Sequence, residues 1–301
     1  MPLISIVVVI SSMEREKELH SLVDSLKVQT FKDFEIILVE NGVNCSSELI
    51  ALFNELDLKQ VKSEINTGVA GGRNIGIKNS SGRFIIFIDD DACYSSDEDV
   101  QNIIRSFDRY PSAGALSFKI EDIKSESRGR NIDHGGYPVR RGKRLDSDTA
   151  CSYFFGGACA FRKKVFEDIG LLPEEYFFGC EELDFSFRLM EKGIDIFFIP
   201  DVKIKHFMSP SGKSEDQRSY YLIKNRINVA FKYLPLRYAI IHSLLWSVFI
   251  FLESMRTSSV KHYLKGLFHG IKRIQAVRKD NNVLSAETIK KINKLMGRTY
   301  Y

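Results

Sequence analysis

Three short apolar runs constrain this chain more than any other feature. Residues 3–10 (LISIVVVI), 34–39 (FEIILV) and 84–88 (FIIFI) have strand length and are rich in β-branched and aromatic side chains, the signature of strands covered on both faces. Leu19, Leu22, Val23 and Leu26 fall at helical spacing between the first two, and a second helix is expected over residues 46–56. Strands alternating with helices predict an α/β fold: a Rossmann-like, mostly parallel central sheet with flanking helices, whose ligands bind at the carboxyl ends of the strands. All three runs end on polar residues, at Ser11-Ser12, Glu40-Asn41-Gly42 and Asp89-Asp90-Asp91.

A chain of 301 residues makes one large or two modest domains. Its net charge of +4 is unevenly spread: residues 254–301 hold eleven Lys/Arg against two acids, leaving residues 1–253 at about −5. A basic C-terminal region on a weakly acidic body suits contact with an anionic surface. Five scattered cysteines without CxxC spacing fit a reducing compartment and argue against a disulfide framework or a zinc site. The first apolar run lacks a basic leader and a small-residue cleavage site, so it reads as a strand rather than a signal peptide.

Further along, residues 121–150 are charged and glycine-rich and read as a surface loop, followed by strand-like YFFGGACAFRK and a helix to Gly170. Residues 181–192 predict a helix stopped by Gly193, and Asp195–Ile199 a strand ended by Pro200. The pattern divides the chain into an α/β domain over 1–212 and a helical region over 213–301. Within the latter, Tyr238–Leu252 is fifteen residues with His242 as its only potential charge. At about 1.5 Å per residue that run falls short of a hydrocarbon core of about 30 Å. It could pack on the body, enter one leaflet or mediate self-association into a homo-oligomer. Residues 254–279 add seven Lys/Arg and no acid, interleaved with aliphatic and aromatic residues. That composition fits a basic amphipathic helix on anionic lipid, and equally a solvated charged face on a packing helix. The aliphatic interleaving suits membrane better than nucleic acid.

Three stretches carry chemistry. In FIIFIDDDAC the acids could be a solvated, capping strand end, but one Asp would serve for that. Paired carboxylates at i and i+2 suit Mg²⁺ or Mn²⁺, with Asp89 and Asp91 pointing one way and Asp90 the other in an extended segment. In NTGVAGGRNIG, Gly72 and its neighbours could form a helix N-terminal turn or bring backbone to a ligand beside Arg73. In CEELDFSFRLMEKG, the acids Glu181, Glu182 and Asp184 suit the start of a helix and equally a general base at a cleft edge. His206 reads as a metal ligand or a capping histidine.

The order and spacing of SIVVVISS, SLKVQTFKDFEIILVENG, NTGVAGGRNIGIKNSSGRFIIFIDDDA, GGACAFRKKVFEDIGLLPEEYF, CEELDFSFRLMEKG and IPDVKIKH resemble the family 2 inverting, nucleotide-sugar-dependent glycosyltransferases of GT-A fold. The similarity runs through most of the first 206 residues and has the flavour of rhamnosyltransferase-like enzymes of surface-polysaccharide biosynthesis. It implies a donor pocket from Ile10, Ser11, Ser12, Glu40 and Asn41, with Arg73 close to the base. It makes Asp89–Asp91 a DxD motif, with Asp89 and Asp91 on the metal, an Asp such as Asp90 on the ribose, and His206 completing the metal site. Glu182 becomes the base that deprotonates the acceptor hydroxyl, with Glu181 or Asp184 as substitutes, and Gly156-Gly157 the acceptor-side floor. Glu40 and Val43 depart from the family's usual Asp and small hydroxyl residue, which leaves the base preference open between UDP- and dTDP-sugars.

The resemblance thus implies a cytoplasmic, peripheral-membrane transferase that takes a nucleotide-sugar donor and a glycan or lipid-linked acceptor. A nucleotidyltransferase would carry a basic glycine-rich loop after the first strand, and SSMEREKE is not one. A dinucleotide oxidoreductase would carry GxGxxG after that strand. An inactive nucleotide-sugar-binding partner remains the non-enzymatic alternative, disfavoured by the intact acids.

Overall fold

The computed structural model describes residues 1–123, 145–207, 215–280, 282–297 and 299. Most of the surface loop expected over 121–150 lies outside the described residues. The parallel half of the sheet is formed by β1 (Ile4–Ile10), β2 (Phe34–Asn41), β3 (Leu58–Ser63) and β4 (Phe84–Ile88), in spatial order β3-β2-β1-β4. Helices α1 (Glu16–Lys27), α2 (Ser47–Ala51) and α3 (Gly68–Asn79) connect them. The second half is mixed. It comprises β5 (Ala92–Tyr94), α4 (Asp99–Arg109), β6 (Ala113–Asp122), β7 (Thr149–Cys151), β8 (Ala158–Arg162), α5 (Lys164–Ile169), α6 (Glu181–Glu191) and β9 (Asp195–His206). The sheet continues β4-β8-β6-β9-β5, with β8 antiparallel to both β4 and β6 and with β7 also paired to β9.

Side-chain alternation along β1 divides the core. Ile4, Ile6, Val8 and Ile10 face Leu19, Leu22 and Leu26 of α1, whereas Val7 faces Ala70 and Ile77 of α3. The glycines of α3 let that helix lie close to the sheet. A Cβ on Gly72 would come within 2.5 Å of Val9 Cγ1, and one on Gly76 would collide with Val7.

Several boundaries differ from those expected. The helix over 46–56 closes at Ala51. The edge strand β3 was not anticipated, because its sequence LKQVKS is polar and half exposed. The run YFFGGACAFRK enters the sheet only at Ala158. The strand from Asp195 does not stop at Pro200 but runs on to His206. Pro200 is accommodated where the β6–β9 register shifts, between Phe118/Lys119 and Ile199/Lys203, so its missing N–H interrupts no ladder bond.

The C-terminal helices are α7 (Glu215–Tyr233), α8 (Leu236–Arg256), α9 (Val260–Lys272), α10 (Ile274–Lys279) and α11 (Ala286–Lys294). Val229, Tyr233, Leu284, Ile289 and Ile292 share a core with the sheet, so this region is joined to the α/β body. The apolar run 238–252 is the middle of a 21-residue helix, about 31 Å long and therefore long and apolar enough to span a bilayer. One face of it is nevertheless packed, through Ala239, His242, Ile250 and Ser254. The other exposes Leu244, Val248, Phe249 and Leu252, and α9 exposes Leu264, Phe268 and Ile271.

Candidate functional site

A cleft of about 280 Å³ opens at the carboxyl ends of β1, β2 and β4, lined by Ser11, Arg15, Asn41, Asn66, Arg73, Asp89, Asp90, Gly157, Phe178, Gly179, Glu181 and Glu182 among others. Its floor is the turn after β4. Because Ala92 of β5 pairs with His206 at the end of β9, the ladder itself brings His206 to that turn. His206 Nε2 lies 3.3 Å from Asp91 Oδ1 and 3.8 Å from Asp89 Oδ2, and the donor atoms of the three residues all fall within 4.8 Å of one another. Two carboxylates and an imidazole make a donor set suited to Mn²⁺ or Mg²⁺. Burial works against a charged His206, but Asp91 and Asp89 outweigh it and raise its pKa.

The three acids form a turn, closed by Ala92 N–H donating to the Asp89 carbonyl at 3.1 Å, rather than the extended segment expected, and Asp90 meets Arg15 in an ion pair. Arg15 also lies 3.5 Å from Asp91 Oδ1. Burial pushes the Asp90 carboxyl up to about 7 against the pull of that guanidinium. Ile10 and Ser12 line a small recess beside Asp90 and Arg15. Arg15 escaped the sequence reading because MEREKE looks like a solvated first helical turn. Asn66, Phe178 and Gly179 were also missed. Phe177 and Cys180 flank that last pair with φ of 59° and 75°, a strained bend that sequence does not announce.

Arg73 differs most from its expected role. Rather than reaching for a base, it clasps the two acidic centres, with Nη2 3.1 Å from Asp89 Oδ1 and Nη1 3.5 Å from Glu181 Oε1 and 4.0 Å from Glu182 Oε1. Glycine is required beneath it. A Cβ on Gly156 would collide with Arg73 Nη1 and approach Glu182 Oε1 to 2.7 Å, and a Cβ on Gly157 would lie 2.6 Å from Asp89 Cγ.

Three expected residues are engaged elsewhere. Glu40 is fully buried. Burial opposes its charge, but hydrogen bonds donated by Cys45 N–H and by Gln60 Nε2 at 2.8 Å, with Lys62 at 3.3 Å, hold its pKa down, so its oxygens are occupied within the protein. Gly72 packs α3 on β1 and does not line the cleft. Asp184 is fully buried on the far side of α6, bound by Tyr176 Oη, Arg188 Nε and Lys232 Nζ at 3.0–3.1 Å, which removes it as a substitute base. Asn41 does reach the cleft, where its amide oxygen accepts from Thr67 N–H at 2.9 Å and pins the start of α3.

The sequence matches the pattern of glycosyl transferase family 2 over residues 7–170, just over half of the chain. A dTDP-rhamnosyl transferase, RfbF of Shigella flexneri, is 27% identical over 208 residues, covering 63% of this chain and 64% of its own. An uncharacterized glycosyltransferase of Haemophilus influenzae is 25% identical over 189 residues, or 62% of each chain. The chain thus spans somewhat under two thirds of these relatives' length. Among solved structures, Staphylococcus aureus TarS residues 1–349 superpose with a TM-score of 0.57 at 17% identity, covering 99% of this chain and 88% of that one. GalNAc-T7 with UDP, GalNAc and Mn²⁺ gives 0.64 at 15%, covering 98% and 57%. These likenesses establish the fold as GT-A with a helical C-terminal region. The match over residues 7–170, on a sheet of this topology, places the chain in glycosyl transferase family 2.

Proposed function

We propose that the cleft transfers a hexosyl group, with inversion, from a UDP- or dTDP-sugar to a hydroxyl of a glycan or lipid-linked acceptor. The observation that carries this reading is the Arg73 clasp, which joins Asp89 to the Glu181-Glu182 pair in the lining of one cleft. Asp89, Asp91 and His206 would hold Mn²⁺ or Mg²⁺. When bound, such an ion supplies Lewis-acid neutralisation of the leaving diphosphate. Glu182, whose side chain keeps 18% of its surface exposed, accepts the proton of the attacking hydroxyl, whereas Glu181 is 3% exposed and serves to position Arg73. Arg15 and Asp90 border the recess by Ile10 and Ser12, where the nucleoside would lie. Support for a dTDP or UDP donor comes from RfbF, named a dTDP-rhamnosyl transferase, and from TarS, solved with UDP-GlcNAc. Support for the metal comes from a Pyrobaculum calidifontis mannosyltransferase solved with GDP-Man and Mn²⁺ (TM-score 0.55, 13% identity, 97% and 79% covered).

The exposed apolar residues of α8 and α9, flanked by Lys261, Lys265 and Lys272, support peripheral attachment to an anionic membrane at its cytoplasmic face. The test of the transferase reading is thermal stabilisation by a panel of UDP-, dTDP- and GDP-sugars with and without Mn²⁺. A Mn²⁺-dependent rise with a UDP- or dTDP-sugar is expected. No rise with any donor would contradict it.

A further inference from the structure

The bend that leads into the acids of α6 is held by a helix from the other end of the chain. Phe177 has φ 59° and ψ −46°, and Phe178 N–H donates to the Tyr176 carbonyl at 2.6 Å, closing a γ-turn of the rare, strained hand. Gly179 and Cys180 follow with φ of 71° and 75°, and α6 starts at the next residue. Such a backbone persists only where its surroundings over-determine it.

The side chain that does so is Asn225, fully buried in α7. Its Nδ2 donates to the carbonyls of Tyr176 at 2.8 Å, Phe178 at 2.7 Å and Gly179 at 3.0 Å. Carbonyls only accept, so the amide nitrogen must face them, and Oδ1 is left buried with no hydrogen-bond partner among the described residues. The Phe177 carbonyl accepts from Val69 N–H at 2.8 Å, and a Cβ on Gly68 would collide with it. Asn in mid-helix and an unpaired buried amide oxygen both cost stability, so packing alone does not account for this residue. Two turns further along α7, Lys232 Nζ donates to Asp184 Oδ2 at 3.1 Å, so one helix grips both the bend and the first turn of α6. Phe178 and Gly179 line the cleft together with Glu181 and Glu182.

We propose that Asn225 is a positioning residue for the proton-accepting step: by fixing the bend, it sets where α6 begins and which glutamate faces the reacting hydroxyl. A slip of one residue at the start of a helix turns its side chains by about 100°, enough to exchange Glu182 for Glu181. The C-terminal helical region is then part of the catalytic apparatus. This rests on the transferase reading above, with Glu182 as the base.

The full-length protein is compared with Asn225→Asp, which keeps the side chain's shape but presents acceptors to three carbonyls, and with Asn225→Ser, which keeps one donor. Carboxyl groups are labelled with a carbodiimide and glycinamide and located by mass spectrometry, with no donor present. Glu182 is expected to label ahead of Glu181 in the wild type, and Asn225→Asp to erase that preference while circular dichroism shows a folded protein. Turnover is read as Mn²⁺-dependent release of UDP or dTDP from the donor panel, with water in the acceptor's place. In Asn225→Asp kcat should fall about 10²-fold, and less in Asn225→Ser. The KM for donor should stay unchanged, because Asp89 and Asp91 follow β4 and His206 ends β9. A folded Asn225→Asp with the wild-type labelling pattern overturns the proposal. So does an altered pattern with unchanged kcat, or a KM that rises as kcat falls. If Asn225→Asp does not fold, Asn225→Ser is read by the same criteria; failure of both to fold makes the contact purely structural and overturns the proposal. Where donors bind but water does not replace the acceptor, the labelling decides alone. No stabilisation by any donor sinks the transferase reading and this role with it, whereas donor turnover indifferent to Asn225 sinks the positioning role alone.

Discussion

Gly157→Ala tests the metal site without removing any ligand. The added methyl would sit 2.6 Å from Asp89 Cγ and nearer still to Oδ2. Ordinary C···O contact begins at roughly 3.3 Å, so the Asp89 carboxylate must retreat by roughly 1 Å. Its side chain is 38% exposed, so retreat into the cleft is open and the fold has little to absorb. The stability loss should stay at the low end of the roughly 1–3 kcal/mol typical of overpacking. Metal ligation is less forgiving, because ligand distances hold to about 0.2 Å. Losing the alignment of one carboxylate should weaken Mn²⁺ binding by on the order of 10–100-fold, and a 1 Å misplacement should slow transfer by about 10²-fold. Calorimetric titration with Mn²⁺, beside a thermal melt, separates the two effects. A folded variant that binds Mn²⁺ as tightly as the wild type would refute the assignment of Asp89 as a ligand.

Glu182→Gln should abolish transfer while Mn²⁺-dependent donor stabilisation persists; turnover at the wild-type rate would move the base to Glu181. Arg73→Met leaves the buried Glu181 without its counter-charge and should lower stability by about 3–5 kcal/mol in urea denaturation, an unchanged midpoint arguing against the clasp. Leu244→Glu combined with Phe268→Glu should abolish flotation with anionic vesicles without shifting the melting temperature, both residues being more than half exposed. Truncation at residue 236 is the poorer test, because it also removes Leu284, Ile289 and Ile292 from the core. Flotation that survives the double substitution would place the membrane contact elsewhere.

The buried strands and both acidic centres were legible in the sequence, because a strand covered on both faces must be apolar and a functional strand end must break that run abruptly. The grouping of Asp89 with Asp91 was expected from strand alternation, but the three acids lie in a turn: that turn and the Ala92–His206 pairing bring Asp89, Asp91 and His206 together, while Arg15 meets both Asp90 and Asp91. What escaped was set by long-range pairing. Edge strand β3 carries no apolar signal, and the extension of β9 through Pro200 depends on a bulge opposite β6. Arg15 and Arg226 look like ordinary surface charges in the sequence and are buried only by contacts from elsewhere in the chain. Asp184 looks like a third active-site acid and is instead neutralised by Arg188 and Lys232 in the core. Glu40 ends its strand like a ligand-binding acid, yet partners on the adjoining loop and on β3 occupy it.

The central claim is inverting transfer from a nucleotide-sugar by Glu182 and the Asp89–Asp91–His206 centre. It is tested most directly by proton NMR of the sugar first released when a donor that stabilises the protein is incubated with enzyme and Mn²⁺. Water then takes the acceptor's place, and the anomeric signal identifies the configuration before mutarotation. The account predicts that the anomer opposite to the donor's appears first, and that both Glu182→Gln and removal of Mn²⁺ eliminate it. First release of the donor's own anomer, or release unaffected by Glu182→Gln, would contradict it.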